Sequence, residues 1–137
     1  MALFYADASA LVKLVRDEPE SPALRVYLDG SSLVSCELVL TELPRAIRRA
    51  AGRDLRLPLD TLIARAGEII DALALLPLDR SLLAAAGALA EPALRALDAI
   101  HVAAAALASP VDAFVTYDER QAAAARLAGL RTVSPGG

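Results

Sequence analysis

The sequence has no tryptophan, one cysteine and one histidine among its 137 residues, and aromatic side chains make up only 4% of it. Its single cysteine, Cys36, cannot form an internal disulfide, which favours a reducing cytoplasm. The longest stretch without Lys, Arg, Asp or Glu runs from Ala99 to Val111 and contains His101 and Pro110. Since a membrane span needs about 20 apolar residues, no transmembrane helix is expected. The first residues contain Asp7 and no cation before it, which argues against a signal peptide.

Several catalytic signatures are missing as well. There is no Gly-x-Ser-x-Gly elbow of a serine hydrolase and no glycine-rich phosphate loop. A phosphatase of the Asp-x-Asp type would need an acid where this chain has Ser9, and a receiver domain would need a late lysine, whereas the only lysine is Lys13. The 17 acidic and 14 basic residues exclude a basic coat over the whole surface but leave a local basic patch open.

Alanine and leucine dominate the composition with 31 and 25 copies, and both are good helix formers. Short apolar runs alternate with helical patterns, which predicts a mainly parallel sheet of four to five short strands with helices on both faces, in one domain over residues 1–137. The expected strands are Leu3–Ala6, Leu33–Ser35, Leu73–Leu76, Asp112–Thr116 and Arg131–Val133. The expected helices are Ala8–Val15, Pro19–Leu28, Leu38–Gly52, Pro58–Asp71, Asp79–Leu89, Leu94–Ala108 and Glu119–Leu127. Because apolar residues reach 56%, we also expect another chain to cover part of the surface.

Two aspartates follow predicted strands, at the edge where parallel α/β folds bind their ligands. Asp7 comes directly after the first strand, and Asp118 comes shortly after the fourth. Each also has a purely structural interpretation, because aspartate is a good helix N-cap and the Asp118–Gln121 spacing resembles a capping box. The pattern leaves both roles open.

Asp98 lies in a predicted helix whose neighbouring positions on the same side are Leu94, Val102 and Ala105. A buried, ionised carboxylate there would cost several kcal/mol unless it pairs with a cation or binds one. Arg95 could provide the pair only if that side of the helix bends inward. A functional role for Asp98 is therefore favoured.

Glu42 repeats this pattern in a milder form, inside the apolar segment 38–43. Its structural alternative is an ion pair with Arg45 or Arg49, one or two turns further along the same helix. The sequence leaves the two alternatives open.

The four carboxylates would come from two strand ends and two helices of one sheet. If they converge, they cannot all stay ionised without a cation, because like charges within a few ångströms repel strongly. Ligand sets made only of oxygen suit Mg²⁺ or Mn²⁺ rather than Zn²⁺. A carboxylate-held Mg²⁺ can activate a water and stabilise charge on a phosphate, which is the chemistry of phosphodiester hydrolysis.

A cluster of arginines could meet a phosphate backbone. Five arginines and one acid lie between positions 45 and 56, and Arg45, Arg48 and Arg49 are candidates for contacts with the phosphates of a nucleic acid. Lys13 and Arg16 are further candidates, two to three turns after Asp7. A solvated helix face, or a site for acids of a partner protein, is an equally good interpretation of the cluster.

Two single residues invite a catalytic role but favour a structural one. His101 is one turn beyond Asp98, yet a lone histidine on an apolar helix is more often a core residue with satisfied nitrogens. Cys36 has no second cysteine or histidine at metal-ligand spacing, so we interpret it as a small buried side chain.

Four segments together resemble the PIN domain, and within it the VapC-like toxins of bacterial toxin–antitoxin pairs. They are FYADASALVKL around Asp7, LVLTELPRAIRR around Glu42, LRALDAIHVAAA around Asp98 and FVTYDERQ around Asp118. The resemblance covers nearly the whole chain, and the segment around Asp98 is the most specific. It implies an α/β/α sandwich and a Mg²⁺- or Mn²⁺-dependent endoribonuclease. It also implies a homodimer inhibited by a small VapB-like antitoxin.

The resemblance also implies roles for particular residues. The family's four acidic positions correspond to Asp7, Glu42, Asp98 and Asp118, which would bind the metal and carry the catalysis. Ser9 and Thr116 match small hydroxyl positions that would orient a carboxylate or a water. One departure is Pro44, two residues after Glu42: proline inside a helix removes a backbone hydrogen bond, so the direction of Glu42 relative to the site is less defined than that of Asp98. The alternative is an interaction module that has kept the fold and lost activity, which the four intact acids argue against.

Overall fold

A computed structural model describes all 137 residues of the chain. Five strands form one sheet: β1 (Leu3–Ala6), β2 (Ser32–Cys36), β3 (Ala74–Leu76), β4 (Ala113–Val115) and β5 (Thr132–Val133). Seven helices connect them: α1 (Ala8–Val15), α2 (Ser21–Leu28), α3 (Val39–Arg53), α4 (Leu59–Asp71), α5 (Arg80–Gly87), α6 (Ala96–Ala108) and α7 (Glu119–Leu127). The predicted order of strands and helices is confirmed. No helix is long and apolar enough to cross a membrane.

The sheet is entirely parallel, with the strand order β3-β2-β1-β4-β5. β1 is the central strand, and the chain crosses from one side of it to the other between β3 and β4. Parallel sheets with this reversal leave a crevice at the carboxyl ends of the strands beside the central one. Asp7, the residue after β1, therefore lies where the topology opens a site.

The helices cover both faces of the sheet. Alternate residues of β1 point to opposite sides: Phe4 and Ala6 pack in one core with α1, α2, α3 and α4, and Tyr5 packs in the other with α5, α6 and α7. Phe114 of β4 lies beside Tyr5, with 5.1 Å between the ring centroids. The three-layer α/β/α sandwich is confirmed. Cys36 is fully buried in the second core, as its interpretation required.

Some predicted helix ends were wrong by a few residues, each for a local reason. Helix α2 begins at Ser21 rather than Pro19, because Pro22 takes the first-turn position for which Pro19 was expected. Helix α6 begins at Ala96 rather than Leu94, because Arg95 is extended (φ −75°, ψ 161°). At the other end of the fold, α7 closes as expected before Gly129, whose φ of +87° suits glycine.

Candidate active site

The four carboxylates predicted from sequence line one cavity of about 150 Å³ at the carboxyl edge of the sheet. Asp7 follows β1, Asp118 caps α7, Asp98 lies in the first turn of α6 and Glu42 in the first turn of α3. The remaining lining residues are Ala8, Ser9, His101 and Gln121. One β-strand end and the N-terminal ends of three helices thus bring together acids that are up to 111 positions apart in the chain.

Asp7 is held by four donors and is only 2% exposed. Its Oδ1 accepts from the Ser9 hydroxyl at 2.6 Å and from the backbone N–H of Ala10 at 3.1 Å. Its Oδ2 accepts from the Thr116 hydroxyl at 2.5 Å and from the Gln121 amide at 2.8 Å. Burial raises the pKa of Asp7, while the charge of His101 and these hydrogen bonds oppose the rise. The N-cap role considered for Asp7 is therefore real, but it uses only one of these four bonds.

Thr116 and Ser9 connect Asp7 to the next acid. The Thr116 hydroxyl accepts the backbone N–H of Asp118 at 3.1 Å, and it lies 3.3 Å from the Ser9 hydroxyl. Ser9 also accepts the backbone N–H of Tyr117 at 2.9 Å. The two small hydroxyl residues thus fix the loop that carries Asp118 against the carboxylate of Asp7.

Asp118 caps α7, but the capping box is incomplete. One carboxylate oxygen of Asp118 accepts the backbone N–H groups of Arg120 and Gln121 at 2.9 and 3.1 Å. The Gln121 side chain, which a capping box would direct back to the cap, is buried and bonds Asp7 instead. The second oxygen of Asp118 accepts no hydrogen bond from the protein.

Asp98 is the acid without a partner. Its carboxylate accepts no hydrogen bond and forms no ion pair, so Arg95 does not serve as its counter-ion. Burial and the negative charges of Asp118 and Glu42 raise the pKa of Asp98, while the positive charges of His101 and Arg120 partly oppose the rise. A cation in the cavity would relieve this repulsion.

Glu42 is anchored by a histidine on another helix. Its Oε1 lies 2.6 Å from Nε2 of His101, and no ion pair joins Glu42 to Arg45 or Arg49. The other ring nitrogen, Nδ1, lies 2.8 Å from the Tyr5 hydroxyl and 3.8 Å from Sγ of Cys36. The ion pairs considered between Glu42 and Arg45 or Arg49 are therefore wrong. His101 is buried in the core, as expected, but it also contacts a carboxylate of the cavity.

The surroundings of His101 favour its charged form. Burial alone would lower the pKa of His101, but the contacts with Cys36 and Glu42 outweigh burial and raise the pKa to about 10. Glu42 is the stronger of the two partners, because it lies 2.6 Å from Nε2 whereas Sγ of Cys36 lies 3.8 Å from Nδ1. Burial also raises the pKa of Tyr5, which keeps its hydroxyl hydrogen.

A larger groove of about 670 Å³ adjoins the acidic cavity and shares Ala8, Ser9 and Glu42 with it. Lys13, Arg45 and Arg49 line this groove together with Tyr117. Lys13 lies 4.8 Å above the Tyr117 ring and forms ion pairs with Glu20 at 2.9 Å and Glu18 at 3.5 Å.

The five basic candidates divide between this groove and other surfaces. Arg45 and Arg49 form no ion pair or side-chain hydrogen bond, so their guanidinium groups are free. Arg48 is exposed and does not line the groove. Arg16 lines a different cavity, with Arg65.

The cavity offers carboxylate and hydroxyl oxygens to a cation. No three or more His, Cys, Asp or Glu side chains are grouped closely enough to form a metal centre as they stand. The donors nevertheless fit a hard divalent ion: Asp98 is unpartnered, and Glu42 and Asp118 each keep one oxygen without a hydrogen bond from the protein. Asp7, with four bonds, is the acid that would have to release a donor.

Comparisons with known proteins agree with the fold and with the resemblance to the PIN domain. The PIN domain profile matches residues 4–127. The chain belongs to the PIN domain family. Similar proteins include ribonucleases VapC47 (strain CDC 1551 / Oshkosh) and VapC46 (strain ATCC 25618 / H37Rv) of Mycobacterium tuberculosis. Each is 38% identical, and the alignments cover 98% of this chain and 98% and 99% of those proteins. Ribonuclease VapC35 of the same organism is 39% identical over 98% of both chains.

Solved structures share the fold at low sequence identity. The crystal structure of Mycobacterium tuberculosis VapC20, described as a sarcin-ricin loop cleaving toxin, has a TM-score of 0.70 at 16% identity and covers 96% of this chain and 99% of its own. PAE2754 from Pyrobaculum aerophilum has a TM-score of 0.65 at 19% identity, with 96% and 84% covered. Both support the sandwich architecture.

Two polar contacts of the cavity were not predicted from sequence. Gln121 bonds Asp7 across 114 positions, and His101 bonds Glu42 across 59. The sequence gives one indirect signal for them: each is a polar residue in a helix whose neighbours are mostly alanine. A buried polar side chain in such a helix needs a partner from elsewhere in the fold.

Proposed function

We propose that this protein is a divalent-metal-dependent endoribonuclease that acts as the toxin of a toxin–antitoxin pair. The observation that carries the proposal is the convergence of Asp7, Glu42, Asp98 and Asp118 on one cavity of a PIN fold. Relatives with 38–39% identity over nearly the full length are named as VapC ribonucleases, which supports RNA as the substrate.

Mg²⁺ is the proposed cofactor, and Mn²⁺ is its expected substitute. Asp7 and Asp98 would hold the ion, with Glu42 and Asp118 completing the set directly or through waters. A bound divalent ion would supply charge stabilisation at the phosphate and a water of lowered pKa. The all-oxygen donor set and the unpartnered Asp98 support this assignment.

The side chains of the cavity have separate parts in the proposed reaction. Ser9 and Thr116 keep Asp7 in one orientation through their hydroxyl groups. Glu42 and Asp118 each keep one carboxylate oxygen without a protein donor, so either can accept the proton released by an attacking water. The water oxygen would then form a new bond to phosphorus while the bond on the opposite side breaks in line, and the leaving oxygen would take up a proton from solvent.

The groove next to the cavity is the proposed path of the RNA strand. Arg45 and Arg49 lack acidic partners, and Lys13 is the third cation on the groove wall. Contacts of these cations with phosphates would place a strand beside Glu42, which the groove and the acidic cavity share. Arg48 and Arg16, lying elsewhere, are not part of this path.

The proposal includes two protein contacts and a cytoplasmic location. A second copy of the chain and a small VapB-like antitoxin would cover apolar side chains that are now exposed, among them Val26 at 78% and Leu127 at 74%. Light scattering of the purified chain tests the homodimer, for which a monomer mass would be the contrary result. Titration of cleavage with the candidate antitoxin tests the partner, and undiminished cleavage would argue against it.

The experiment that tests the proposed activity is cleavage of RNA with Mg²⁺ or Mn²⁺ and with EDTA. The wild-type chain should cut only with the metal, and Asp98→Asn should lose activity, because it removes the carboxylate that has no counter-ion in the protein. Asp71→Asn is the matched control, since Asp71 is exposed on α4. Wild-type activity in Asp98→Asn would refute the site.

A second measurement separates a nuclease from an inactive interaction module of the same fold. A catalytic site should bind Mn²⁺, so the melting temperature of the wild-type chain should rise with added Mn²⁺. No rise in the wild-type chain would favour the interaction module.

A further inference from the structure

His101 connects the cavity to the core of the fold through both of its ring nitrogens. Nε2 lies 2.6 Å from Oε1 of Glu42, and Nδ1 lies 2.8 Å from the hydroxyl of Tyr5. The three residues come from α6, α3 and the central strand β1, so the chain of contacts joins three elements. The side chain of His101 is 2% exposed, whereas that of Glu42 is 22% exposed.

The chemistry of the two contacts fixes which nitrogen carries a hydrogen. An ionised carboxylate only accepts hydrogen bonds, so Nε2 must be the donor to Glu42. The Tyr5 hydroxyl can donate to Nδ1 or accept from it, and it therefore fits the neutral ring and the charged ring alike. In both forms the ring keeps the same orientation, with Nε2–H directed at Glu42.

Glu42 needs such an anchor from outside its own helix. A glutamate side chain has three rotatable bonds, and neither Arg45 nor Arg49 on the same helix pairs with it. The contact with His101 engages one carboxylate oxygen, Oε1, and leaves the other, Oε2, without a protein donor. The rigid, buried ring therefore holds Oε1 of the flexible Glu42 side chain and leaves Oε2 for the cavity.

We propose that His101, supported by Tyr5, is a positioning residue that holds Glu42 so that its free oxygen serves the acidic cavity. This inference rests on the proposed function. His101 touches neither substrate nor metal in it; the residue acts through Glu42. Outer partners of this kind typically change metal affinity or activity by about 10–100-fold when they are removed.

The only imidazole of the chain makes a direct test possible without metal or RNA. A nitrogen-15 spectrum of the wild-type protein in EDTA should show a hydrogen on Nε2 that exchanges slowly with water, and Glu42→Gln should shift the Nε2 signal. Since there is one histidine, the two ring-nitrogen signals need no residue assignment, and their different couplings to the two carbon-bound ring hydrogens distinguish Nε2 from Nδ1. An Nε2 without a hydrogen, or one that Glu42→Gln leaves unchanged, would overturn the proposal.

Two substitutions of His101 test the functional consequence. His101→Leu removes the donor, and we expect the turnover number and the Mn²⁺ affinity to fall about 10–100-fold while the KM for RNA stays unchanged. His101→Gln places an amide N–H near the former Nε2 and should recover most of the loss. Wild-type turnover and Mn²⁺ affinity in a folded His101→Leu chain would overturn the inference.

Val102→Ala is the matched control, because Val102 is the next residue of α6, is fully buried and lines neither the cavity nor the groove. It should lower the unfolding midpoint in EDTA while Mn²⁺ affinity and turnover stay at the wild-type values. If His101→Leu does not fold, Tyr5→Phe takes its place. It removes only the hydroxyl that supports Nδ1 and should lower turnover and Mn²⁺ affinity in the same direction.

The outcomes separate the two proposals. Cleavage that is lost in Asp98→Asn and fully kept in His101→Leu overturns the positioning role alone. A wild-type chain that neither cuts RNA nor binds Mn²⁺ overturns the proposed function.

Discussion

At the scale of single residues, the carboxylates of the cavity have very different surroundings. Asp7 accepts four hydrogen bonds, whereas Asp98 accepts none. A carboxylate with four hydrogen bonds is held in one orientation, whereas a carboxylate without any is free to bind a cation. The difference predicts opposite effects on stability when the surroundings of each acid are changed.

Thr116→Val tests the support of Asp7. Valine keeps the shape of threonine but leaves Asp7 with one donor fewer and the backbone N–H of Asp118 without its acceptor. Unpaired buried groups cost about 1–3 kcal/mol each, so we expect a loss of that order in the free energy of unfolding. Denaturant unfolding in EDTA measures it. Thr116→Ser, which keeps the hydroxyl, should lose clearly less, and equal stability of the two variants would contradict the expectation.

Asp98→Asn should have the opposite effect and stabilise the metal-free protein. Because burial and the charges of Asp118 and Glu42 raise its pKa, the folded state binds more protons than the unfolded state between the ordinary value of 3.8 and the raised one. Stability therefore falls as pH rises through that window and stays lower at neutral pH. Asparagine cannot ionise, so this loss disappears.

The size of the effect is modest because Asp98 is partly exposed to water. We expect the melting temperature at pH 7 in EDTA to rise by a few degrees. This corresponds to a gain of about 1 kcal/mol in the free energy of unfolding. Below the window the difference between the variant and the wild type should vanish. Asp71→Asn should change neither value. A lower melting temperature in Asp98→Asn would mean that Asp98 has a partner in solution.

The sequence was informative about charged residues that stand out within a single predicted helix or strand. Asp98 stands out because an acid interrupts an apolar helix side, and Asp7 stands out because it ends a strand. The partners His101 and Gln121 could not be predicted, since they meet their acids only after distant helices pack. A histidine that is satisfied in the core and one that holds a site carboxylate look the same in a sequence.

At the scale of elements, α3 shows how a helix tolerates a poorly suited residue. Pro44 lies inside α3, yet the helix continues to Arg53 and keeps Glu42 in its first turn. Proline has no N–H, so the carbonyl of Leu40, whose residue is 46% exposed, loses its helical partner and can turn to water. The uncertainty that Pro44 placed on Glu42 is resolved by the contact with His101 rather than by the helix.

Pro44→Ala should therefore stabilise the protein. It restores one helical hydrogen bond and removes a ring that crowds the preceding turn, which is worth about 1–3 kcal/mol in a helix interior. The unfolding midpoint in EDTA measures the gain. Turnover of RNA should stay close to the wild-type value, since His101 and not Pro44 fixes Glu42. Lower stability would mean that Pro44 is matched to its neighbours in a way that alanine cannot reproduce.

The elements themselves were predictable because strand and helix periods differ in this sequence. Short apolar runs gave the strands within one residue at most ends, and alanine-rich segments gave the helices. The errors fall at ends such as Ser21 and Ala96, where a turn rather than the apolar pattern decides the first helical residue. Strand order was not predictable in detail, because it depends on which side each crossover takes.

At the scale of the whole molecule, the net charge of −3 is misleading about the surface that RNA would meet. Of the 17 acidic residues, four line the cavity, which leaves 13 acids against 14 basic residues elsewhere. Arg45 and Arg49 concentrate positive charge on one wall of the groove. The molecule thus carries a cation-lined path that leads to a carboxylate pocket.

Binding of RNA should depend on salt through these two arginines. The measurement uses the Asp98→Asn background, so that the single-stranded RNA is not cleaved. In this background the double substitution Arg45→Ala and Arg49→Ala should reduce the slope of log affinity against log salt concentration by about 1.4. Arg48→Ala is the matched control, because Arg48 is exposed on the same helix outside the groove. An equal change in the control would place the RNA elsewhere.

The position of β4 beside β1 also sets an order in time. β4, at residues 113–115, pairs with β1, at residues 3–6, in the middle of the sheet, so the centre of the sheet can form only after β4 has been made. A chain still growing on the ribosome carries Asp7 and Glu42 long before Asp98 and Asp118 exist. The pocket can therefore be complete only after Asp118 has been made, and a chain that stops before this residue lacks one of the four carboxylates that line the cavity.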